Sequence, residues 1–231
     1  MGPVEPVEVR FPTADGGEVR GMLHRPGGDA ATAGLVIAHG RSGGMNDRLI
    51  RQLCASAADA DIAALRFTFR YAEESGSASR DLSREETDLL GAVRYLQSIV
   101  ASNPLFVAGK SMGARVCARA SSDPAITGMI SLGYPLHPMF KPQVMNPPEW
   151  PRIVKPALFI QGDHDPFCDL GRLRTELERL SRTHELVIIP AAGHSFEPKG
   201  EKRDTFPEVR EAVTRWIVTR LREEDSLGSS E

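Results

Sequence analysis

The feature that most constrains this chain is a sharp turn between a strand-like run and a helix-like stretch. The apolar run 104–108 leads into Gly109-Lys-Ser-Met-Gly113, and a helix-like stretch covers residues 112–121. At such a turn the residues on either side of the serine crowd each other, and glycine at both places relieves the crowding. The pattern predicts that the Ser111 hydroxyl stands exposed at the end of a strand. It also predicts that the Met112 N–H points towards any charge developing beside Ser111.

Length and composition are those of an ordinary globular protein. The 231 residues suit one α/β domain, and the contents of hydrophobic (41%) and charged (26%) residues are typical. A net charge of −3 gives no electrostatic reason to expect nucleic acid or an anionic membrane as a partner. No apolar stretch approaches the roughly 18 residues of a membrane span, and the N-terminus lacks the features of a secretory signal.

The cysteine content predicts free thiols. Cys54, Cys117 and Cys168 are odd in number, sparse and without metal-ligand spacing. Free thiols are typical of a reducing compartment, so the cytoplasm is the expected location. We expect neither a metal nor a cofactor.

Strand-like and helix-like segments alternate along most of the chain. The predicted strands are 7–11, 18–24, 35–38, 62–69, 104–108, 126–132, 157–161 and 185–189. The predicted helices begin at Asn46 or Asp47 and run to about 59, and then cover 82–100, 112–121, 170–180 and 206–221. The first two strands flank a turn signature at residues 15–17 and form an antiparallel hairpin. The remainder predicts an α/β fold with a mainly parallel sheet of about eight strands and helices on both faces.

The pattern predicts one domain over residues 1–221. The polar tail 222–231 is expected to be disordered. The only irregular insertion, residues 134–155, is rich in Pro and Met and too short for a separate cap domain.

Candidate partners for Ser111 follow two later strands. A serine nucleophile needs a base, and the base needs a carboxylate that orients it. Loops at the carboxyl ends of parallel strands converge on one crevice, and such loops carry Asp163, Asp165 and His194. We expect His194 to be the base. We favour Asp165 as the acid because the turn returns the later aspartate towards the histidine, while Asp163 remains the alternative.

The other histidines have weaker claims to the role of base. His137 is the main competitor, because its loop must cross the same crevice. His39 more often supports an oxyanion loop than acts as a base. The remaining histidines are His24, His164 and His184.

The glycine-rich loop 39–44 is the candidate oxyanion loop. It follows the strand 35–38, where Gly40 allows close approach of substrate and the Arg41 N–H is the expected second donor beside Met112. The loop has no phosphate-binding spacing, so nucleotide binding is not expected. Residues expected to line the substrate pocket are Gly40, Tyr71, Tyr134 and His137. Arg41 could meet an anionic substrate, whereas Lys110 is expected on the solvated surface.

The elbow, the His39-Gly40 loop, the acid loop and the Gly193-His194 loop together resemble the α/β-hydrolase superfamily over residues 7–221. The small size and lack of a large cap resemble its dienelactone-hydrolase-like branch, which usually has Cys where this chain has Ser111. The stretches 109–115, 132–138 and 161–167 are similar to a small group that includes a testis-expressed protein and a subunit of a nuclear histone-acetylation complex. The resemblance implies a single-domain α/β-hydrolase fold without a large cap.

These observations predict a serine hydrolase that cleaves a small ester or thioester through an acyl-enzyme. The alternative is a non-catalytic binding or scaffold protein on the same fold. Haloalkane or epoxide hydrolase chemistry is not expected, because those enzymes use a carboxylate at the elbow. Monomer and homodimer remain open.

Overall fold

Eight strands form one sheet in the computed structural model, which describes residues 4–28, 30–101, 103–144, 149–180, 182–200 and 203–228. The strands are β1 (Val7–Pro12), β2 (Glu18–His24), β3 (Ala33–Ala38), β4 (Ile62–Phe67), β5 (Leu105–Lys110), β6 (Gly128–Leu132), β7 (Ala157–Gly162) and β8 (His184–Ile189). Their order across the sheet is β1-β2-β4-β3-β5-β6-β7-β8. β2 pairs antiparallel with β1 and with β4, and all other pairs are parallel. The predicted sheet is confirmed.

Helices connect the parallel strands. They are α1 (Arg48–Asp59), α2 (Arg70–Glu73), α3 (Ser83–Val100), α4 (Met112–Ala120), α5 (Leu170–Leu177) and α6 (Phe206–Gly228), with one 3-10 turn at Trp150–Arg152. The short α2 was not predicted. α6 continues beyond Leu221 through most of the expected tail, of which residues 229–231 lie outside the described residues. None of the helices in the described part of the chain combines the length and apolar character that a membrane crossing requires.

The helices cover both faces of the sheet. Residues of α3, α4 and α5 pack with one face in a single apolar cluster, and residues of α1 and α6 pack with the other. β3, β4, β6 and β7 are buried along their whole length, as expected of parallel strands covered on both sides.

A reversal of strand order creates the crevice that the site occupies. β3 lies between β4 and β5, and the chain passes from β3 to β4 on one side before α3 returns it to β5 on the other. Loops that leave two such neighbouring strands diverge and leave a gap between them. Ala38 pairs with Gly109 in register, so the residues that follow them, His39 and Lys110, begin on opposite sides of this gap.

The three cysteines are free and buried in separate places. Cys54 lies in α1 and Cys117 in α4, on opposite faces of the sheet, and Cys168 lies just before α5. Burial raises the pKa of the Cys54 thiol to about 12 and also raises the pKa of Cys117 and of Cys168.

Candidate active site

The serine sits on a strained turn between β5 and α4. Ser111 has φ 54° and ψ −116°, a backbone conformation that non-glycine residues adopt at a cost of about 1–3 kcal/mol. A Cβ at Gly109 would lie 2.2 Å from the Gly113 carbonyl, and a Cβ at Gly113 would lie 2.6 Å from the Ala38 oxygen. Both distances are impossible for real side chains. Gly109 is required because the turn folds back against Gly113, and Gly113 is required because it lies against the end of β3.

Three residues from distant loops are joined by two hydrogen bonds. Ser111 Oγ lies 2.8 Å from His194 Nε2, and His194 Nδ1 lies 2.7 Å from Asp165 Oδ2. The structure thus brings together the three residues chosen from the sequence. Asp163 lies apart from them: it contacts His164 Nδ1 at 2.7 Å and accepts from the Ala192 N–H at 3.3 Å.

The Asp165 carboxylate is completely buried and is surrounded by donors. Oδ1 accepts from the Phe167 N–H at 2.8 Å, and Oδ2 accepts from Gln161 Nε2 at 2.5 Å as well as from His194. A buried charge needs such partners, because it has lost its hydration. Gln161 was not singled out from the sequence. The available signal was a polar residue within the otherwise apolar strand β7.

The loop that carries His194 is packed tightly against its surroundings. The Gly193 N–H donates to the Glu197 carbonyl at 2.9 Å, and the Phe167 ring lies 4.5 Å from the imidazole between ring centroids. Gly133 makes room for this loop: its φ is 68°, and a Cβ there would lie 2.7 Å from the His194 carbonyl oxygen. Sequence reasoning did not identify Gly133 as part of the site.

The candidate oxyanion loop is oriented by its own carbonyl. The Gly40 oxygen accepts from His39 Nδ1 at 2.7 Å and from the Gly43 N–H at 3.0 Å. The peptide bond between Gly40 and Arg41 is trans, so the Arg41 N–H points in the opposite direction from the Gly40 carbonyl. A Cβ at Gly40 would lie 3.4 Å from Ser111 Cβ, so the loop passes directly beside the serine.

His39 supports this loop and has no nitrogen left for catalysis. Its Nε2 accepts from the Phe69 N–H at 3.0 Å, while Nδ1 donates to Gly40. Burial lowers the pKa of His39, which favours the neutral ring that these two bonds require. The loop is further held by the Tyr71 hydroxyl, which donates to the Arg41 carbonyl at 2.7 Å.

The competing base, His137, is similarly occupied. Its Nδ1 donates to the Pro138 carbonyl at 2.8 Å, and its Nε2 accepts from the Asp169 N–H at 2.8 Å. His137 therefore has no free nitrogen to accept the Ser111 proton, although its side chain lines the cleft. Asp169 caps α5 through Oδ1, which accepts from the Arg172 N–H at 2.8 Å.

A cleft of about 780 Å³ opens over Ser111. Its walls include the oxyanion loop, residues 135–138, Phe167 and His194, so Gly40 and His137 lie where they were expected. The expectation for Tyr71 and Tyr134 is wrong, since neither is among the cleft-lining residues. Tyr71 is buried beneath the oxyanion loop, and Tyr134 is fully buried against Trp150 and Phe159. The free energy gained by burying the large rings in the core exceeds the free energy gained by exposing their hydroxyls to the cleft.

The cleft is lined by three cationic side chains and only one carboxylate among the described residues. Lys110 was expected on the surface but forms a half-buried ion pair with Asp47 at 2.6 Å. Arg115 forms an ion pair with Glu149, which is buried and is not among the residues that line the cleft. Within the described residues, the Arg41 guanidinium forms no ion pair, and it is exposed at the cleft. The same described residues contain no cluster of three or more potential metal ligands.

Comparisons with solved structures identify proteins of similar fold. The chain is similar to three solved structures: an α/β serine hydrolase without a lid from Xanthomonas campestris, a dienelactone hydrolase from Anabaena variabilis and an esterase from Pyrococcus furiosus. The first is 23% identical, with 94% of this chain and 97% of that chain covered and a TM-score of 0.72. The second is 22% identical, with coverages of 93% and 97% and a TM-score of 0.76. The third is 19% identical, with coverages of 93% and 91% and a TM-score of 0.75.

At these identities, the three structures establish a shared fold. The similarity to the group with the testis-expressed and histone-acetylation proteins stays a prediction. A family model described as an alpha/beta hydrolase domain matches residues 31–220, which include the elbow, the acid loop and the histidine loop. The chain therefore belongs to the α/β-hydrolase domain family.

Proposed function

We propose that the protein is a serine hydrolase that cleaves a small carboxylic ester or thioester through an acyl-enzyme. The observation that carries the proposal is the continuous chain of hydrogen bonds from Ser111 through His194 to Asp165, open to a cleft. An isolated serine hydroxyl is a poor nucleophile at neutral pH, and this arrangement supplies the base and the group that orients it.

In the first half-reaction, Ser111 Oγ attacks the substrate carbonyl while its proton passes to His194 Nε2. The negative charge that develops on the carbonyl oxygen is stabilised by the N–H groups of Met112 and Arg41. As the tetrahedral intermediate collapses, His194 gives the proton to the departing alcohol or thiol. Asp165 stabilises the imidazolium that exists between these two transfers.

In the second half-reaction, a water molecule takes the place left by the departed alcohol or thiol. His194 takes a proton from the water, the resulting hydroxide attacks the acyl group, and the proton returns to Ser111 as the acid leaves. The Met112 N–H is available because the first N–H groups of a helix have no partner within it.

The test is replacement of Ser111 by alanine. S111A should abolish turnover of p-nitrophenyl acetate and butyrate and should prevent labelling by a fluorophosphonate probe. Ser98→Ala, which removes an exposed hydroxyl from α3, is the matched control and should leave both readouts intact. Equal turnover by S111A and wild type would remove the proposal, and a folded wild type that neither labels nor turns over would favour the binding-protein alternative.

Substrate class can be narrowed with two series. Acyl chains from acetyl to octanoyl would measure how much of the cleft the acyl group fills. Phenyl butyrate compared with S-phenyl thiobutyrate would distinguish ester from thioester preference at constant acyl group.

A further inference from the structure

Gln161 carries an amide into the core of the sheet, where polar groups are costly. The residue is completely buried, and the other residues of β7 apart from the terminal glycine are apolar. A buried amide without partners costs about 1–3 kcal/mol, so its retention needs compensating hydrogen bonds. Both ends of the Gln161 amide have them, at Tyr134 and at Asp165.

The orientation of this amide is fixed by its neighbours. The Tyr134 backbone N–H lies 2.9 Å from Gln161 Oε1 and can only donate, so the amide oxygen must face Tyr134. The NH₂ group is thereby directed at Asp165 Oδ2, 2.5 Å away. Gln161 thus connects the end of β6 to the loop after β7 that carries the acid.

We propose that Gln161 is a positioning residue that holds the Asp165 carboxylate in the rotation at which Oδ2 faces His194. This inference rests on the proposed serine-hydrolase function. Oδ2 receives two donors, Gln161 Nε2 and His194 Nδ1, and Oδ1 receives the Phe167 N–H. With all three donors present, every contact is satisfied at only one orientation of the carboxylate plane, apart from the half-turn that exchanges its two equivalent oxygens.

Removal of the Gln161 donor relaxes that constraint. The carboxylate can then turn about its Cβ–Cγ bond, and the imidazole loses the fixed acceptor that sets its tautomer and ring orientation. Gln161 does not line the cleft, so substrate binding has no direct dependence on it. The effect should therefore fall on kcat and not on KM.

The experiment compares Gln161→Met, which keeps the length but cannot donate, with Gln161→Leu, which also cannot donate and has a shorter, branched side chain. Ser131→Ala is the matched control. Ser131 is also fully buried, in the neighbouring strand β6, and its hydroxyl has no partner among the described residues. Thermal unfolding of each variant separates folding from positioning, and Q161L remains informative if Q161M does not fold.

We expect Q161M to lower kcat for p-nitrophenyl butyrate by about 10- to 100-fold with KM within twofold. This is the range found when the hydrogen-bond partners that orient metal ligands are removed, and Gln161 orients Asp165 in the same way. Q161L should lose at least as much, and S131A should match wild type. In proton NMR, the low-field signal of the His194 Nδ1 proton should be sharp in wild type and S131A and broadened or lost in both Gln161 variants.

A Q161M protein with wild-type kcat and an intact low-field signal would overturn the inference, even if it were less stable. The two proposals fail in different ways. The wild type could turn over no ester while the Q161M substitution still removed the low-field signal. That result would keep the positioning role of Gln161 and refute the hydrolase function.

Discussion

Gly133→Ala should impair catalysis by displacing the histidine loop. An alanine Cβ at position 133 would lie 2.7 Å from the His194 carbonyl oxygen, whereas ordinary van der Waals contact begins near 3.4 Å. The contact is with backbone, so a side-chain rotation cannot relieve it, and the loop must withdraw by about 0.7 Å. The Ser111–His194 distance of 2.8 Å would then approach the roughly 3.6 Å at which a hydrogen bond is lost.

The expected effect has two separate parts. Misplacement of reacting groups by about 1 Å costs on the order of 100-fold in rate, so kcat should fall by nearly this factor. The left-handed backbone at position 133, with φ 68°, adds a loss of stability of about 1–2 kcal/mol once a Cβ is present.

Gly16→Ala separates these parts. Gly16 has φ 82° in the hairpin turn, and a Cβ there would meet nothing within 4 Å. G16A should therefore lose similar stability in urea unfolding and keep its kcat for p-nitrophenyl butyrate. If G133A also retained kcat within threefold of wild type, the packing argument for Gly133 would be refuted.

Two further predictions concern pH and substrate charge. Burial, with a contribution from Arg66, lowers the pKa of His24 from 6.5 to about 4. Between these values the unfolded chain binds a proton that the folded chain does not, so stability should fall by about 3 kcal/mol as pH drops from 6.5 to 4. Urea unfolding across this range should show a smaller fall for His24→Gln, and an identical fall would contradict the assignment. Separately, the cleft cations should favour an anionic acyl group: Arg41→Gln should lower kcat/KM for mono-p-nitrophenyl adipate about fivefold, the value of an exposed ion pair, and leave p-nitrophenyl hexanoate unchanged. Added salt should weaken the wild-type preference for adipate, and a preference that persists in R41Q would exclude Arg41 as its source.

Much of the candidate site could be predicted because it depends on strand ends. Ser111, Asp165 and His194 each follow a parallel strand, and such loops must meet at one edge of the sheet. The choice of Asp165 over Asp163 required only the direction of one turn. These are local patterns combined with a rule of topology, and both can be read from a sequence.

The misses share a different cause. Gly133 makes room for the His194 loop, which is distant in sequence, and no local pattern records that contact. Gln161 lies only four residues before Asp165, but whether its side chain turns towards that carboxylate depends on the three-dimensional course of the loop between them. Tyr71 and Tyr134 were placed in the cleft because they follow strands, but the rotation of each side chain depends on the core around it. α2 has only four residues, too few to show helical periodicity.

The separate burial of the cysteines gives the fold two internal reporters. A thiol reagent should find no reactive sulfur in the closed protein, because the thiols are inaccessible and burial raises the pKa of each one. A variant that keeps only Cys54 would report opening of the face covered by α1 and α6. One that keeps only Cys117 would report opening of the face beneath the elbow helix. Alkylation rates of these two variants would thus show whether the two helical layers separate from the sheet together or independently.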